Sequence, residues 1–237
     1  MIRLKNIYLL FLLAFILPLS PANGMSFSDR SVDYILPNGL KVVLIQDRRS
    51  PVVVSSIWYK VGSSYEQNGI SGISHILEHL MFKGTKNMKP GEFSKKIKQL
   101  GGSENAFTGR DFTGYYQKVH KDYLELCLEL ESDRMRNLVF EQDLVNKEID
   151  VVKEERRLRT DDQPISKVFE KIGQQIFGMS GYGIPIVGTM NDISNVTISN
   201  LKKWYDNYYV PSNAIVIIAG DIDFDRTKEL VKKYYGK

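Results

Sequence analysis

His75 and His79 stand four residues apart in "ISHILEHLMF", with Glu78 immediately before the second histidine. The chain holds only three histidines, the other being His120, so the pair does not come from a histidine-rich background. An α-helix turns by about 100° per residue, which places His75, Glu78 and His79 within about 100° of arc on one face. Two imidazoles so spaced can meet one metal ion, and the glutamate between them can reach a water on that ion without binding the ion itself. This is the H-x-x-E-H order. Neutral imidazole suits zinc, and a catalytic zinc site uses three protein ligands and an open position for water. Zinc brings the pKa of that water to roughly 7, so Glu78 can act as general base and pass the proton to a leaving amine. The competing reading is an amphipathic helix that happens to carry two histidines, since five-residue patterns also arise by chance.

A third ligand must come from elsewhere. The stretch "EQDLVNKEIDVVKEERRLR" offers Glu141, Glu148, Glu154 and Glu155. Glu148 and Glu155 are seven apart and share a helix face, whereas Glu154 is turned by about 100° from Glu155. A helix rich in Glu, Lys and Arg is usually a solvated face. Val145, Ile149 and Val152 on the same helix indicate that part of it packs inward, and a glutamate at the edge of that stripe can be half-buried. Geometry alone leaves Glu148 and Glu155 as equal candidates.

The elements that would position these residues can be read from pattern and punctuation. "VDYILPNGLKVVLIQD" is two apolar runs around Asn38-Gly39, a hairpin signal. "VVVSSIWYKVGSSYE" continues as a strand, and Gly62, Gly69 and Gly72 mark a loop before the histidine helix, which Gly84 would end. Pro90 to Leu100 reads as a helix stopped by Gly101-Gly102. "SENAFTGRDFTGYYQKV" reads as two strands turning at Gly109-Arg110-Asp111. Helices follow over about Lys121 to Leu138, Gln142 to Arg159 and Ile165 to Phe177. "GYGIPIVGT" is then a loop, "SNLKKWYDNYY" a helix, "AIVIIAGDI" a buried strand and "DRTKELVKKYY" a last helix. The expected architecture is one α+β domain, a mostly antiparallel sheet packed against a layer of helices.

Composition narrows the function class. The 237 residues suffice for a substantial core. The formal net charge is +4 with both signs mixed along the chain, so no nucleic-acid partner is expected. The lone Cys127 lies in a helical apolar pattern and reads as a buried structural thiol. Residues 1–24, "MIRLKNIYLLFLLAFILPLSPANG", have Arg3 and Lys5, an apolar run and then small residues, the pattern of a secretory signal peptide. The run is short of the about 20 apolar residues that span a membrane, so an uncleaved anchor is the weaker alternative. Removal of this leader would leave a domain over residues 25–237 with net charge +2, exported to the periplasm or secreted.

Several separated stretches together resemble one family. These are the "LPNGLKVVL" hairpin, "GISHILEHLMFKGT", "GGSENAFTGRDFTGYY", "EIDVVKEE", "GYGIPIVGT" and "NYYVPSNAIVIIAGDID", in this order. They resemble the pitrilysin/insulysin zinc metallopeptidases, the inverzincins, and most of all the branch that includes the mitochondrial processing peptidase and its bacterial relatives. The resemblance covers essentially the whole chain after the leader. It implies that His75, His79 and Glu155 ligate zinc, that Glu78 is the general base, and that Glu148 supports the site without binding zinc. It also implies that Asn105 and Ala106 lie on an edge strand along which a peptide substrate is laid, a role open to any exposed strand. On the residues alone, Asn105 reads as a polar edge residue.

Family members that hydrolyse peptides carry a second, similar half, which supplies an Arg and a Tyr that help hold the peptide. "VKKYYGK" stands about where the first half ends. The expected function is thus a zinc endopeptidase, or its catalytic half, acting on peptides or unfolded polypeptide, with a second-half partner chain or a dimer completing it. The alternative is a catalytically inactive zinc-binding or peptide-binding subunit, or a truncated protease that needs a partner.

Overall fold

Alternation along the strands decides which face of the sheet is covered. In β3 (Val52–Tyr59), Val53, Ser55, Ile57 and Tyr59 are buried while the residues between them are only partly so. In β6 (Ala214–Gly220) the inward set is Ala214, Val216 and Ile218. The structure, a computed structural model, describes residues 30–178 and 180–236; the expected leader lies outside them. The remaining strands are β1 (Ser31–Ile35), β2 (Lys41–Gln46), β4 (Ser103–Thr108) and β5 (Thr113–His120). They form one sheet in the order β1-β2-β6-β3-β5-β4. Every neighbouring pair is antiparallel except β2 with β6. This is the expected α+β architecture.

The described helices are α1 (Ile73–Leu80), α2 (Glu92–Gln99), α3 (Leu124–Asn137), α4 (Gln142–Arg156), α5 (Pro164–Phe177), α6 (Met190–Asn195), α7 (Ile198–Tyr208) and α8 (Phe224–Tyr235). Local chemistry fixes their ends. Thr197 and Asn200 form a reciprocal capping box at the start of α7, and Asp223 caps α8. Some expected bounds shift. The histidine helix ends at Leu80, before Gly84. The α3 helix is preceded by a 3-10 turn at Lys121–Tyr123. The α4 helix gives way at Arg156 to a π-helical turn, Arg157–Asp161. The third strand stops at Tyr59, short of the expected run, and α6 follows the "GYGIPIVGT" loop without having been read from the sequence.

The core lies between the sheet and the helices. Ile73, Ile76, Leu77 and Leu80 of α1 are all essentially inaccessible. Fully burying each such side chain contributes about 1.5–3 kcal/mol, which fixes the roll of α1 and so the direction of its polar face. Behind α1, the Arg134 guanidinium is enclosed by the rings of Phe93, Tyr115 and Phe82, at 4.3, 4.6 and 5.0 Å from the centroids. Its charge is matched by Glu131, which also accepts from Gln117. A buried charge so surrounded holds only because it is paired. Cys127 is buried as expected, and burial pushes its thiol up to about 12, so it stays protonated.

Candidate metal centre

The loop entering α1 is built by two buried carboxylates. Glu66 accepts from the backbone N–H groups of Gly72 and Ser74, at 2.6 and 2.9 Å, and so satisfies donors that the first turn of the helix leaves free. Asp192 of α6 accepts from the backbone N–H groups of Gly69 and Ser71 and from the Ser71 hydroxyl. Gly72 has φ +88°, and a Cβ there would lie 2.3 Å from Val187 O, so this position admits no side chain.

With the helix so placed, His75, Glu78 and His79 share the face turned toward α4 and β4. Glu155, near the end of α4, meets both histidines. Its Oε1 lies 3.7 Å from His75 Nε2 and its Oε2 lies 3.4 Å from His79 Nε2. One ligand atom from each of the three residues lies within 4.8 Å of the others. Ligands bonded tetrahedrally to zinc at 2.0–2.1 Å stand about 3.3 Å apart; the contacts at 3.4 and 3.7 Å are near that separation, and the widest, at up to 4.8 Å, would have to draw in around an ion. Glu148, one heptad earlier on α4, faces the other nitrogen of His79, with Oε2 3.5 Å from Nδ1, and is held by Lys83 at 2.8 Å. The two glutamates that the sequence left equivalent therefore differ in which imidazole nitrogens they meet. Glu154 points to solvent and pairs with Arg157, and Glu141 is the exposed residue before α4.

Electrostatics follow from burial. His75 is buried, its Nδ1 has no hydrogen-bond partner, and desolvation together with His79 and Arg159 lowers its pKa to about 3. It is therefore a neutral imidazole with a free lone pair at neutral pH, the form that binds metal. Burial likewise pushes the Glu78 carboxyl above its usual range, against the opposing hydrogen bond from Thr108. For Glu148, burial pushes upward, but His79 and Lys83 outweigh it and the carboxyl is lowered.

Asn105 and Ala106 lie on β4, which is an edge of the sheet. They border a shallow cleft of about 200 Å³ together with Glu78, His79, Phe82, Lys83 and Glu148. A larger cleft of about 460 Å³ lies elsewhere, between Lys121 and Arg226, and contains none of these groups. Thr108, Lys83 and Arg159 were not read as site residues. Arg159 pairs with Glu155 at 2.6 Å. Arg159 is four residues from Glu155, a spacing that could have flagged it, whereas Lys83 lies beyond the end of α1 and meets Glu148 only through the packing of the two helices. Thr108 shares the alternation of Ala106 on β4.

Residues 41–190 match the family described as insulinase (peptidase family M16), and residues 195–237 match the peptidase M16 inactive domain. The zinc protease PqqE of Helicobacter pylori is 39% identical over 214 residues, which are 90% of this chain and 48% of that protein. A solved protease from Helicobacter pylori superposes with a TM-score of 0.85 at 40% identity, covering 87% of this chain and 50% of that one. The periplasmic protease PqqL of Escherichia coli shares the fold, with a TM-score of 0.82 at 23% identity over 90% of this chain and 24% of its own. The chain spans about half the length of the curated relatives it matches.

Proposed function

Because the chain belongs to the insulinase family of peptidases, family M16, we propose that it is the metal-bearing half of a zinc-dependent endopeptidase acting on extended peptide segments. The observation that carries this reading is the meeting of His75, His79 and Glu155 beside Glu78. His75, His79 and Glu155 would hold the zinc, and Glu148 would fix His79 through Nδ1. Zinc supplies a Lewis acid and lowers the pKa of its water. Glu78 is the group that takes a proton and returns it to the leaving amine. A carboxylate whose affinity for protons is raised by burial is suited to both halves of that transfer, and Thr108 keeps it from being raised further. The outer edge of β4, at Asn105 and Ala106, offers unpaired backbone groups to an extended peptide, which would lie across the face of α1.

The cleft beside β4 is shallow, which supports the need for a second domain to close over a substrate. The outer face of α5 supports it too. Ile165, Val168, Phe169, Ile172 and Ile176 are 45–72% exposed on this helix. Its inward side is polar instead: Glu170 is held by the buried Arg156, at 3.1 and 3.2 Å. A contiguous apolar face of this kind marks an interaction surface. A second domain of the same fold, from the same or another chain, is the proposed occupant, since the relatives run to about twice this length. Export rests on the pattern of residues 1–24; among the described residues no helix is long and apolar enough to cross a membrane.

The test is zinc stoichiometry and cleavage of an unstructured peptide library, with and without a purified second M16 domain. Glu78→Gln is expected to retain zinc and lose about 10²–10⁴-fold in turnover, the usual contribution of a general base. His79→Ala is expected to lose the zinc. A Glu78→Gln variant as fast as the wild type removes Glu78 from its role. A zinc-loaded chain inert with every partner favours the alternative of a binding subunit.

A further inference from the structure

The Lys83 side chain leaves the chain just beyond α1, where the backbone is closely fixed. Lys83 N–H donates to Leu80 O at 2.9 Å, and Gly91 N–H donates to Phe82 O at 3.2 Å. Gly84 then turns the chain with φ +110°, and a Cβ there would meet Met88 O at 2.9 Å. From this rigid corner the ammonium reaches Glu148 Oε1 at 2.8 Å, while Glu148 Oε2 faces His79 Nδ1. Exposed ion pairs contribute little, about 0–1 kcal/mol. This pair differs, because the Glu148 side chain is only 9% exposed and its two oxygens are divided between an ammonium and an imidazole. Among the described residues, Lys83 is the one Lys or Arg paired with Glu148.

We propose that Lys83 is a positioning residue of the metal centre, acting through Glu148 on His79. The ammonium holds one carboxylate oxygen so that the other can accept a hydrogen bond from Nδ1–H. His79 is thereby kept in the tautomer whose Nε2 lone pair points at Glu155 and His75. Without the ammonium, Glu148 has no cation in a largely desolvated place and turns toward water. His79 then populates the tautomer with a proton on Nε2, which cannot ligate through that atom. This inference rests on the zinc reading of His75, His79 and Glu155.

The experiment uses Lys83→Met, which keeps the stem and removes the charge, with Lys83→Arg, Glu148→Gln and the double variant that combines Lys83→Met with Glu148→Gln. Zinc affinity is measured by competition with a chromogenic chelator, and the His79 ring nitrogens are followed by ¹⁵N NMR in metal-free protein. Lys83→Met and Glu148→Gln are each expected to weaken zinc by about 10–100-fold, the range for a lost partner of a ligating histidine, with Lys83→Arg restoring most of it. The double variant is expected to be no weaker than Glu148→Gln alone. In metal-free wild type the proton is expected on Nδ1, and in Lys83→Met it should distribute over both nitrogens. A folded Lys83→Met chain with wild-type zinc affinity and the proton still on Nδ1 overturns the proposal, as do losses that add in the double variant. A wild-type chain that binds no zinc overturns the ligand assignment instead, and the nitrogen shifts of the metal-free protein still decide the role of Lys83.

Discussion

Thr108 Oγ1 donates a hydrogen bond to Glu78 Oε2, joining the last residue of β4 to the face of α1 that carries the histidine pair. The strand proposed to receive substrate and the residue proposed to move the proton are thus in direct contact. Burial raises the Glu78 carboxyl, and the Thr108 hydroxyl, which stabilises the ionised form, opposes it.

Replacing Thr108 by Val keeps the shape and removes the hydroxyl. A hydrogen bond to a charged group contributes about 1.5–3 kcal/mol, and this one favours the ionised form, so its loss should raise the Glu78 carboxyl further. A general base must be ionised to work, so the acid limb of the kcat/KM profile is expected to move to higher pH, with the plateau reduced little. The profile of the zinc-loaded, peptide-cleaving assembly checks this. An acid limb that stays in place, or moves to lower pH, removes Thr108 from the control of Glu78.

The hairpin at Asn38-Gly39 was legible because Gly39 has to take φ +87°, and the histidine face because helical spacing alone fixes it. The distinction between Glu148 and Glu155 was not. Both lie on the inward edge of α4, and only the packing of α4 against α1 sets Glu155 across the two Nε2 atoms and Glu148 on Nδ1. The parallel pairing of β2 with β6 was equally hidden, since strands from opposite ends of the domain carry no local sign of adjacency. Nothing in the local pattern singles out Glu66 or Asp192. Their role appears once the glycine loop before α1 is seen to need acceptors for its buried N–H groups.

Glu66 gives the fold a pH dependence that can be isolated. Burial pushes its carboxyl from 4.5 to about 7, although the N–H groups of Gly72 and Ser74 oppose the shift. A folded-state value above the unfolded one means that the native state holds the extra proton between these two pH values. The contribution is therefore fully present below about pH 4.5 and is lost as the pH rises through 7, on the order of 3 kcal/mol in all. Glu66→Gln carries no such proton. The stability of wild type relative to Glu66→Gln, from urea unfolding, is expected to fall between about pH 5 and about pH 7.5. A difference that is flat or grows with pH contradicts a proton on Glu66.

The orientation of α5 reverses what its pattern leads one to expect. The spacing of Ile165, Val168, Phe169, Ile172 and Ile176 reads as a core-facing stripe, yet these residues are exposed and the opposite side faces the body. Arg156 explains the reversal. It is buried, donates to Gly188 O at 2.5 Å and pairs with both Asp161 and Glu170, so the helix is drawn in by its one inward carboxylate. Substitutions on the two faces should therefore separate cleanly. Phe169→Glu with Ile176→Lys places charges only on the outer face, and its effect on the stability of this chain is expected to be within about 0.5 kcal/mol. Binding of a second M16 domain should weaken by about tenfold or more, since losing a central anchor of an interface costs about 2 kcal/mol or more and 1.4 kcal/mol is tenfold. Arg156→Met should do the opposite to the chain itself: it leaves Glu170 and Gly188 O without their partner and should destabilise it by about 3–5 kcal/mol. Urea unfolding and titration calorimetry with the second domain measure the two effects separately. If the outer-face variant binds that domain as tightly as wild type, the α5 face is not where the domain sits.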